Sequence, residues 1–339
     1  MLNNFKLLIG FLLISSITFA QTLQNDTINK TDKNGKKQGY WRKKDEKGKL
    51  KYEGYFVNDK PQGEFKYYYP EGNIKAVSNF YNNGVRSFTK TYYPNGKLMS
   101  EGYYLNEKKD SIWKYYNGYD VIVREEFYKN YLKHGIWKTF SNDGMLIETT
   151  TWKNGIKDGP WELNYIDGKI KSQFKNNVLE GLYQDFSVDN KLKSQGKYIK
   201  GKMDGIWLWY NNDGTPIKRF LYKKDILLKR ELVTYENGKP VNIPFDDIAY
   251  VYQKSGNTIL VKRNSETKTL KEKYSEITEA LGIDDFLIIN KNFLANVKAI
   301  KGIENVQDKN VKVILMPKPD IDVIAEEESS KALKVNFKQ

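Results

Sequence analysis

The stretch GIWKTFSNDGMLIETTTWKNGIKDGPWELNYIDG, residues 135–168, contains one full period of a repeat and the opening of the next. Gly135-Ile136-Trp137 returns 24 residues later as Gly159-Pro160-Trp161, and Asp143-Gly144 returns after the same interval as Asp167-Gly168. Aromatic and apolar residues alternate in Trp161-Glu162-Leu163-Asn164-Tyr165, the period-two signature of a strand with one covered face. An Asp-Gly pair between two such runs predicts a hairpin, its positive φ angles suiting a type I′ turn. The unit reads as one β-hairpin.

Working outward, the Gly-x-aromatic anchor falls at 41, 65, 88, 113, 137, 161, 183 and 207, at spacings of 24, 23, 25, 24, 24, 22 and 24. Phe88 and Trp113 are degenerate copies without the glycine. The turn marker follows at Gly48, Gly72, Gly96, Gly118, Gly144, Gly168, Asn190 and Gly214, and Gly238 extends it to a worn ninth unit. A lone hairpin is marginal in water, whereas hairpins stacked in sequence share one sheet and one aromatic row. Residues 36–243 therefore predict an elongated antiparallel hairpin-repeat array, and the fold class is mainly β.

Composition narrows the chemistry. The chain has 339 residues, no cysteine and one histidine, His134. Disulfide scaffolds, thiol catalysis and histidine metal clusters are excluded. No phosphate loop, dinucleotide fingerprint, nucleophile elbow or paired catalytic carboxylate is present, so no enzyme, metal or cofactor is expected. His134 occupies the slot that other units fill with Gln38, Gln62, Asp158, Glu180 and Asp204, and reads as a polar turn residue. The net charge of +14 is uneven. Residues 244–339 carry 15 basic and 15 acidic side chains, and the first 243 carry 41 and 27.

The N-terminus runs MLNNFK, LLIGFLLISSITF, Ala20-Gln21. One lysine, a thirteen-residue apolar run and a small residue read as a secretory signal over residues 1–20. As a helix the run rises only about 20 Å, short of the roughly 30 Å hydrocarbon core, so an anchor is the weaker reading. Residues 21–35 are polar and read as a disordered linker. The expected location is outside the cytoplasm, periplasmic or secreted, with a cytoplasmic or membrane-tethered chain as the alternative. No second membrane span is expected.

The 24-residue period stops near Pro244, and composition shifts to Ile, Val, Leu and Lys. Strands are expected at 248–252, 258–261, 286–289, 297–303 and 311–316. A helix is expected over LKEKYSEITEAL with Leu270, Tyr274, Ile277 and Leu281 on one face, and another over 325–334. Residues 244–339 read as a small α+β domain able to fold alone.

Two resemblances follow from these residues. The pattern Gly-x-Trp-x-x-Tyr, Asn-Gly-x-Leu, Tyr-x-Asn-Gly over 36–243 resembles the MORN repeat, closest to its bacterial antitoxin-like branch. That likeness implies a non-catalytic scaffold for protein or lipid contacts. The order of elements from 245 to 337, with Phe286-Leu287-Ile288-Ile289-Asn290-Lys291-Asn292-Phe293-Leu294-Ala295-Asn296, resembles the LytTR DNA-binding domain. The family's DNA contacts would fall near Asn257, at Lys291 and at Glu326. The family's core arginine is replaced by Ile288, and its Ser-Arg before the last helix by Ala325-Glu326, with Glu327 and Glu328 following. Lys254, Asn257, Arg263 and Lys291 are the DNA-binding candidates.

Within the repeats, Trp41, Trp113, Trp137, Trp161 and Trp207 read first as the sheet's packing row. Trp209 lies beside Trp207 on one strand face where other units have smaller or polar residues, so Trp209 and Trp207 are the ligand-contact candidates. The basic run Lys36-Lys37, Arg42-Lys43-Lys44 and Lys47 suits a protein partner or an anionic surface, or a strand edge that resists aggregation. The leading expectation is an exported scaffold whose LytTR-like domain contacts protein. The alternative is a LytTR-type transcription regulator whose repeats bind a partner.

Overall fold

The structure is a computed structural model that describes residues 28–306 and 310–336. The signal over residues 1–20 and the linker residues 21–27 lie outside them. No helix among the described residues is long and apolar enough to cross a membrane. The described residues fall into two compact units, divided between Lys108 and Lys109.

Both units are built from the expected hairpins. In the first, strands Leu50–Val57, Lys60–Tyr68, Ile74–Tyr81, Arg86–Tyr92 and Leu98–Leu105 follow Lys37–Lys44, each antiparallel to its predecessor. The second continues the pattern to strands Pro216–Lys223, Ile226–Glu236 and Lys239–Pro244. The last pair, joined at Asn237-Gly238, is the ninth hairpin.

Register corrects one anchor. Trp41 pairs with Gly54, Phe65 with Ser78, Thr89 with Gly102 and Trp113 with Glu126. Thr89, not Phe88, holds the third anchor position, and from Trp41 to Trp161 the period is then 24 without a break. A one-residue slip turns a side chain to the opposite face. Thr89 is buried and shares a 2.8 Å hydrogen bond with Ser78, whereas the Phe88 ring packs on Tyr103 at 4.9 Å.

The turns also differ from the expectation. At Asn95-Gly96, Asp143-Gly144 and Asp213-Gly214 the marker is not a type I′ turn, whereas Asn237-Gly238, with φ of 51° and 76° between the paired Glu236 and Lys239, is one. Gly96, Gly144 and Gly214 have φ of 83°, 88° and 86°, while Asn95, Asp143 and Asp213 are not left-handed. These loops hold three residues inside their closing pair, as Pro94 to Gly96 between Tyr93 and Lys97, one more than a two-residue I′ connection. Their first side chain caps them: Asp45 Oδ1 accepts from the amides of Lys47 and Lys49, both at 2.9 Å. The I′ geometry also occurs where one unit joins the next, as at Asn58-Asp59 (φ 49° and 67°) and Asn176-Asn177 (51° and 68°). The slot residues of the sequence motif serve these junctions. Glu180 accepts from the Lys200 amide at 2.7 Å and Asp204 from the Lys224 amide at 3.1 Å.

Two glycine positions explain the motif. The glycine before each aromatic anchor is left-handed, with φ 71° at Gly39, 64° at Gly63 and 63° at Gly135. Gly54 and Gly196 are needed for space: a Cβ there would lie 2.4 Å from Phe65 Cγ and 2.0 Å from Trp207 Cδ2. The ring of the following unit lies flat on bare backbone.

The stretch 21–35 is not all linker. Lys30 and Thr31 pair with Gln38 and Lys37, and Asp32 Oδ1 closes the intervening turn by accepting from the amides of Asn34 (2.8 Å) and Lys36 (3.0 Å). Trp41 Nε1 donates to the Lys30 carbonyl at 3.1 Å, so the added strand covers the first anchor.

In the C-terminal domain, strands Ile248–Lys254, Asn257–Lys262, Thr267–Leu270, Phe286–Asn290 and Phe293–Asn296 form one five-stranded sheet. Two differ from the expectation. Leu270 belongs to a strand paired with Asn257–Lys262, so helix α1 begins only at Tyr274 and ends at Leu281. Phe293–Asn296 forms its own strand, because a turn at Asn290-Lys291-Asn292 folds it back on Phe286–Asn290. Ile300–Asn305, Val311–Leu315 and Ile324–Ala325 make a second, three-stranded sheet, and helix α2 spans Glu327–Asn336.

The five-stranded sheet is covered on both faces, and its strands alternate between two cores. Tyr250, Tyr252, Phe293 and Ala295 face the three-stranded sheet and Leu333 of α2. Ile248, Val251, Leu260 and Leu294 face α1 together with Ile217, Leu232 and Ile243 of the last hairpins. Pro244 is thus not a boundary between independent parts. One of the two cores of residues 244–339 is completed by the repeats, which weighs against the expectation that they fold alone.

Candidate functional site

Three turns of the C-terminal domain meet at one end of the five-stranded sheet. Strands Ile248–Lys254 and Asn257–Lys262 join through Ser255-Gly256, both left-handed (φ 50° and 80°). The Asn290-Lys291-Asn292 turn lies beside them, because the Gln253 amide donates to the Asn292 carbonyl at 2.9 Å. The segment entering α2 joins the same end: the Glu326 amide donates to the Ile289 carbonyl at 3.3 Å, and Asn290 Nδ2 donates to the Ile324 carbonyl at 2.9 Å. Beneath this end, Tyr250 and Tyr252 stack on Phe293 at 5.2 and 5.7 Å.

Of the four basic and polar candidates, three share this end. Asn257 and Lys291 are exposed. Lys254 is exposed but paired, with Nζ 2.7 Å from Asp320 Oδ2. That hydrogen bond holds the Asp320 carboxyl below the usual range and raises the Lys254 ammonium. Arg263 is corrected. It lies at the opposite end of its strand, where its amide donates to the Asp247 carbonyl at 2.8 Å and Nη2 donates to Asn296 Oδ1 at 3.1 Å. Asn296 itself is buried and caps the following turn through the Lys298 amide at 3.0 Å. Asn290 and Asn296 of the quoted motif act structurally.

Glu326, Glu327 and Glu328 are exposed. Glu327 and Glu328 occupy the first turn of α2, where carboxylates favour the positive end of the helix dipole. Ile288, at the family's arginine position, is 48% exposed and uncharged. The residue that sequence reasoning missed is Asp320. It neutralises Lys254 from 66 positions away, and no local pattern marks it.

The ligand-contact pair in the repeats separates. Trp207 is 3% exposed, enclosed by Tyr183, Tyr198 and Tyr222, and is corrected to a core residue. Trp209 is half-buried. Its ring packs on Phe220 at 4.9 Å under the Lys218 ammonium at 5.0 Å. With Glu276 and Glu279 of α1 it lines a cleft of about 350 Å³. Burial lowers the Lys218 ammonium pKa against the opposing pull of Glu279 and Asp284. In the basic run, Lys37 lies 5.0 Å over Trp41 and Arg42 pairs with Glu53 at 3.0 Å, while Lys36, Lys43, Lys44 and Lys47 are exposed.

Residues 238–335 match the family model of the LytTr DNA-binding domain, and residues 37–58, 61–83, 89–106 and 133–154 each match the MORN repeat variant. The chain carries MORN repeats and a LytTR domain. The LytTR match opens inside the ninth hairpin, in keeping with the core that the two share. Among solved structures, the chain is similar to the LytTr DNA-binding domain of a methyl-accepting/DNA response regulator from Bacillus cereus. The two are 18% identical, with a TM-score of 0.27, over 31% of this chain and 94% of that one. A TcdB2-TccC3-Cdc42 crystal structure is also similar, at 11% identity and a TM-score of 0.18, over 89% of this chain and 17% of that one. No curated protein matches the chain.

Proposed function

We propose that this is a non-catalytic, exported scaffold in which MORN repeats carry a LytTR domain that contacts a protein surface instead of a DNA site. The single observation that carries the reading is the charge of the loop end. A specific DNA complex needs several unpaired cations facing phosphate and base edges. Here Lys254 is neutralised by Asp320, the arginine position holds Ile288, and Glu326 to Glu328 are exposed at the third turn. Export rests on the Lys6, apolar run and Ala20 arrangement. Intact-mass measurement of native material tests it, with a mature chain starting at Gln21 expected and a cytosolic chain retaining residues 1–20 opposing it.

A second reading is DNA binding, favoured by Asn257 and Lys291, both exposed at one end. Fluorescence anisotropy of the full chain with duplex DNA at physiological salt separates the two. Binding no tighter than the roughly 10⁻⁴–10⁻⁶ M of non-specific association is expected. Glu326→Arg with Glu327→Gln and Glu328→Gln should strengthen it about tenfold or more by removing three charges that repel phosphate. Selection of a defined sequence near 10⁻⁸ M by the unaltered protein would establish the second reading instead.

A further inference from the structure

Helix α1 packs against strand Pro216–Lys223, and the cleft of about 350 Å³ left between the helix and the repeats carries opposite charges on its two walls. On the repeat wall the Lys218 ammonium lies 5.0 Å over the Trp209 ring and 5.5 Å over Phe220. It makes no ion pair and no hydrogen bond among the described residues. The equivalent cation four units earlier, Arg124 over Tyr115, is paired with Glu126 at 3.1 Å, and Phe220 takes the place of that carboxylate here. On the α1 wall Glu279 is exposed and forms no ion pair, while Glu276 accepts from the Lys273 amide at 3.0 Å through one oxygen only. The field of Glu279 reaches Lys218 across the gap, yet the two do not pair. Ser194 lines the same cleft, is 7% exposed, and its hydroxyl makes no hydrogen bond among the described residues. A buried hydroxyl without a partner is unfavourable unless a ligand supplies one. The other two charges are already satisfied: Tyr165 donates to Asp185 and accepts from Lys193 at 3.3 Å.

We propose that this cleft binds a free α-amino acid with an apolar side chain. Its carboxylate would meet the Lys218 ammonium and the Ser194 hydroxyl, and its ammonium would meet Glu279 and the second oxygen of Glu276. Trp209 and Ala280 would take the side chain. A ligand with a single charge leaves one wall without its counter-ion. The volume lies near the lower end of the roughly 300–1,000 Å³ of small-molecule sites, as suits a ligand of this size. The inference does not depend on whether the LytTR domain contacts protein or DNA.

The test is a ligand-observed NMR titration of the full chain with L-phenylalanine, 3-phenylpropanoate and 2-phenylethylamine, which share a ring and differ in their charged groups. L-phenylalanine is expected to bind at least about tenfold more tightly than either analogue, because each lacks one hydrogen-bonded charge. Lys218→Met keeps an apolar stem on Trp209 and removes the ammonium. It should weaken L-phenylalanine by a similar factor and leave 2-phenylethylamine unchanged. Glu279→Gln, at an exposed helix position, should weaken L-phenylalanine and leave 3-phenylpropanoate unchanged, and it gives a reading should Lys218→Met fail to fold. Equal binding of the three probes, no binding of L-phenylalanine, or full L-phenylalanine binding by both variants overturns the proposal. Tighter binding of glycyl-phenylalanine than of L-phenylalanine overturns the free amino acid as the ligand.

Discussion

Replacing Trp207 by alanine is expected to destabilise the second unit by about 3–5 kcal/mol, the usual cost of truncating a fully buried aromatic. The ring is enclosed by Tyr183, Tyr198 and Tyr222 at 5.4, 5.3 and 6.4 Å, and its inner face lies on the bare backbone of Gly196. No neighbour can collapse into that space without breaking the register of two hairpins. Denaturant unfolding followed by circular dichroism should show a lower midpoint for the hairpins around Trp207. In a linear array the loss spreads through nearest-neighbour interfaces. Lys153→Ala, at an exposed turn, should change stability by less than about 0.5 kcal/mol. An unaltered midpoint for Trp207→Ala would mean that the aromatic row does not hold the array together.

Truncation should have a larger effect still. A fragment of residues 244–339 loses Ile217, Leu232 and Ile243, which are 6%, 0% and 1% exposed and complete the core beneath α1. Each apolar side chain of this kind stabilises by about 1.5–3 kcal/mol when buried, and the fragment would expose their partners Phe245, Ile248 and Ile277 as well. Such a sum approaches the whole 5–15 kcal/mol stability of an ordinary domain. The fragment should unfold without a cooperative transition and bind a hydrophobic dye. Residues 202–339, which keep the last hairpins, should melt cooperatively. A sharp transition in 244–339 matching that of the longer fragment would show that the repeats do not complete the core.

The repeat was legible because one short physical rule recurs. A left-handed glycine, an alternating aromatic strand and a turn return every 24 residues, and each is a local requirement of the backbone. The third anchor was misread for the same reason. Phe88 and Thr89 are adjacent, aromatic character favours the first, and only pairing with Gly102 shows which faces the row. The turns at Gly96, Gly144 and Gly214 were assigned to the wrong class because an Asn-Gly or Asp-Gly pair does not reveal the length of its loop. The closing bond, donated by the Asp45 amide to the Lys49 carbonyl, does.

The sequence by itself determined the hairpin array, the extent of its aromatic row, the LytTR order of elements, and the loss of the family's arginines. Each depends on residue types at short, regular separations. The tertiary structure alone decided three matters that depend on contacts between distant segments. Asp320 neutralises Lys254, Arg263 faces away from the loop end, and Ile217, Leu232 and Ile243 complete the core under α1. Charge pairing and burial are set by which surfaces fold together, and residues far apart in the chain carry no local mark of the partner they will meet.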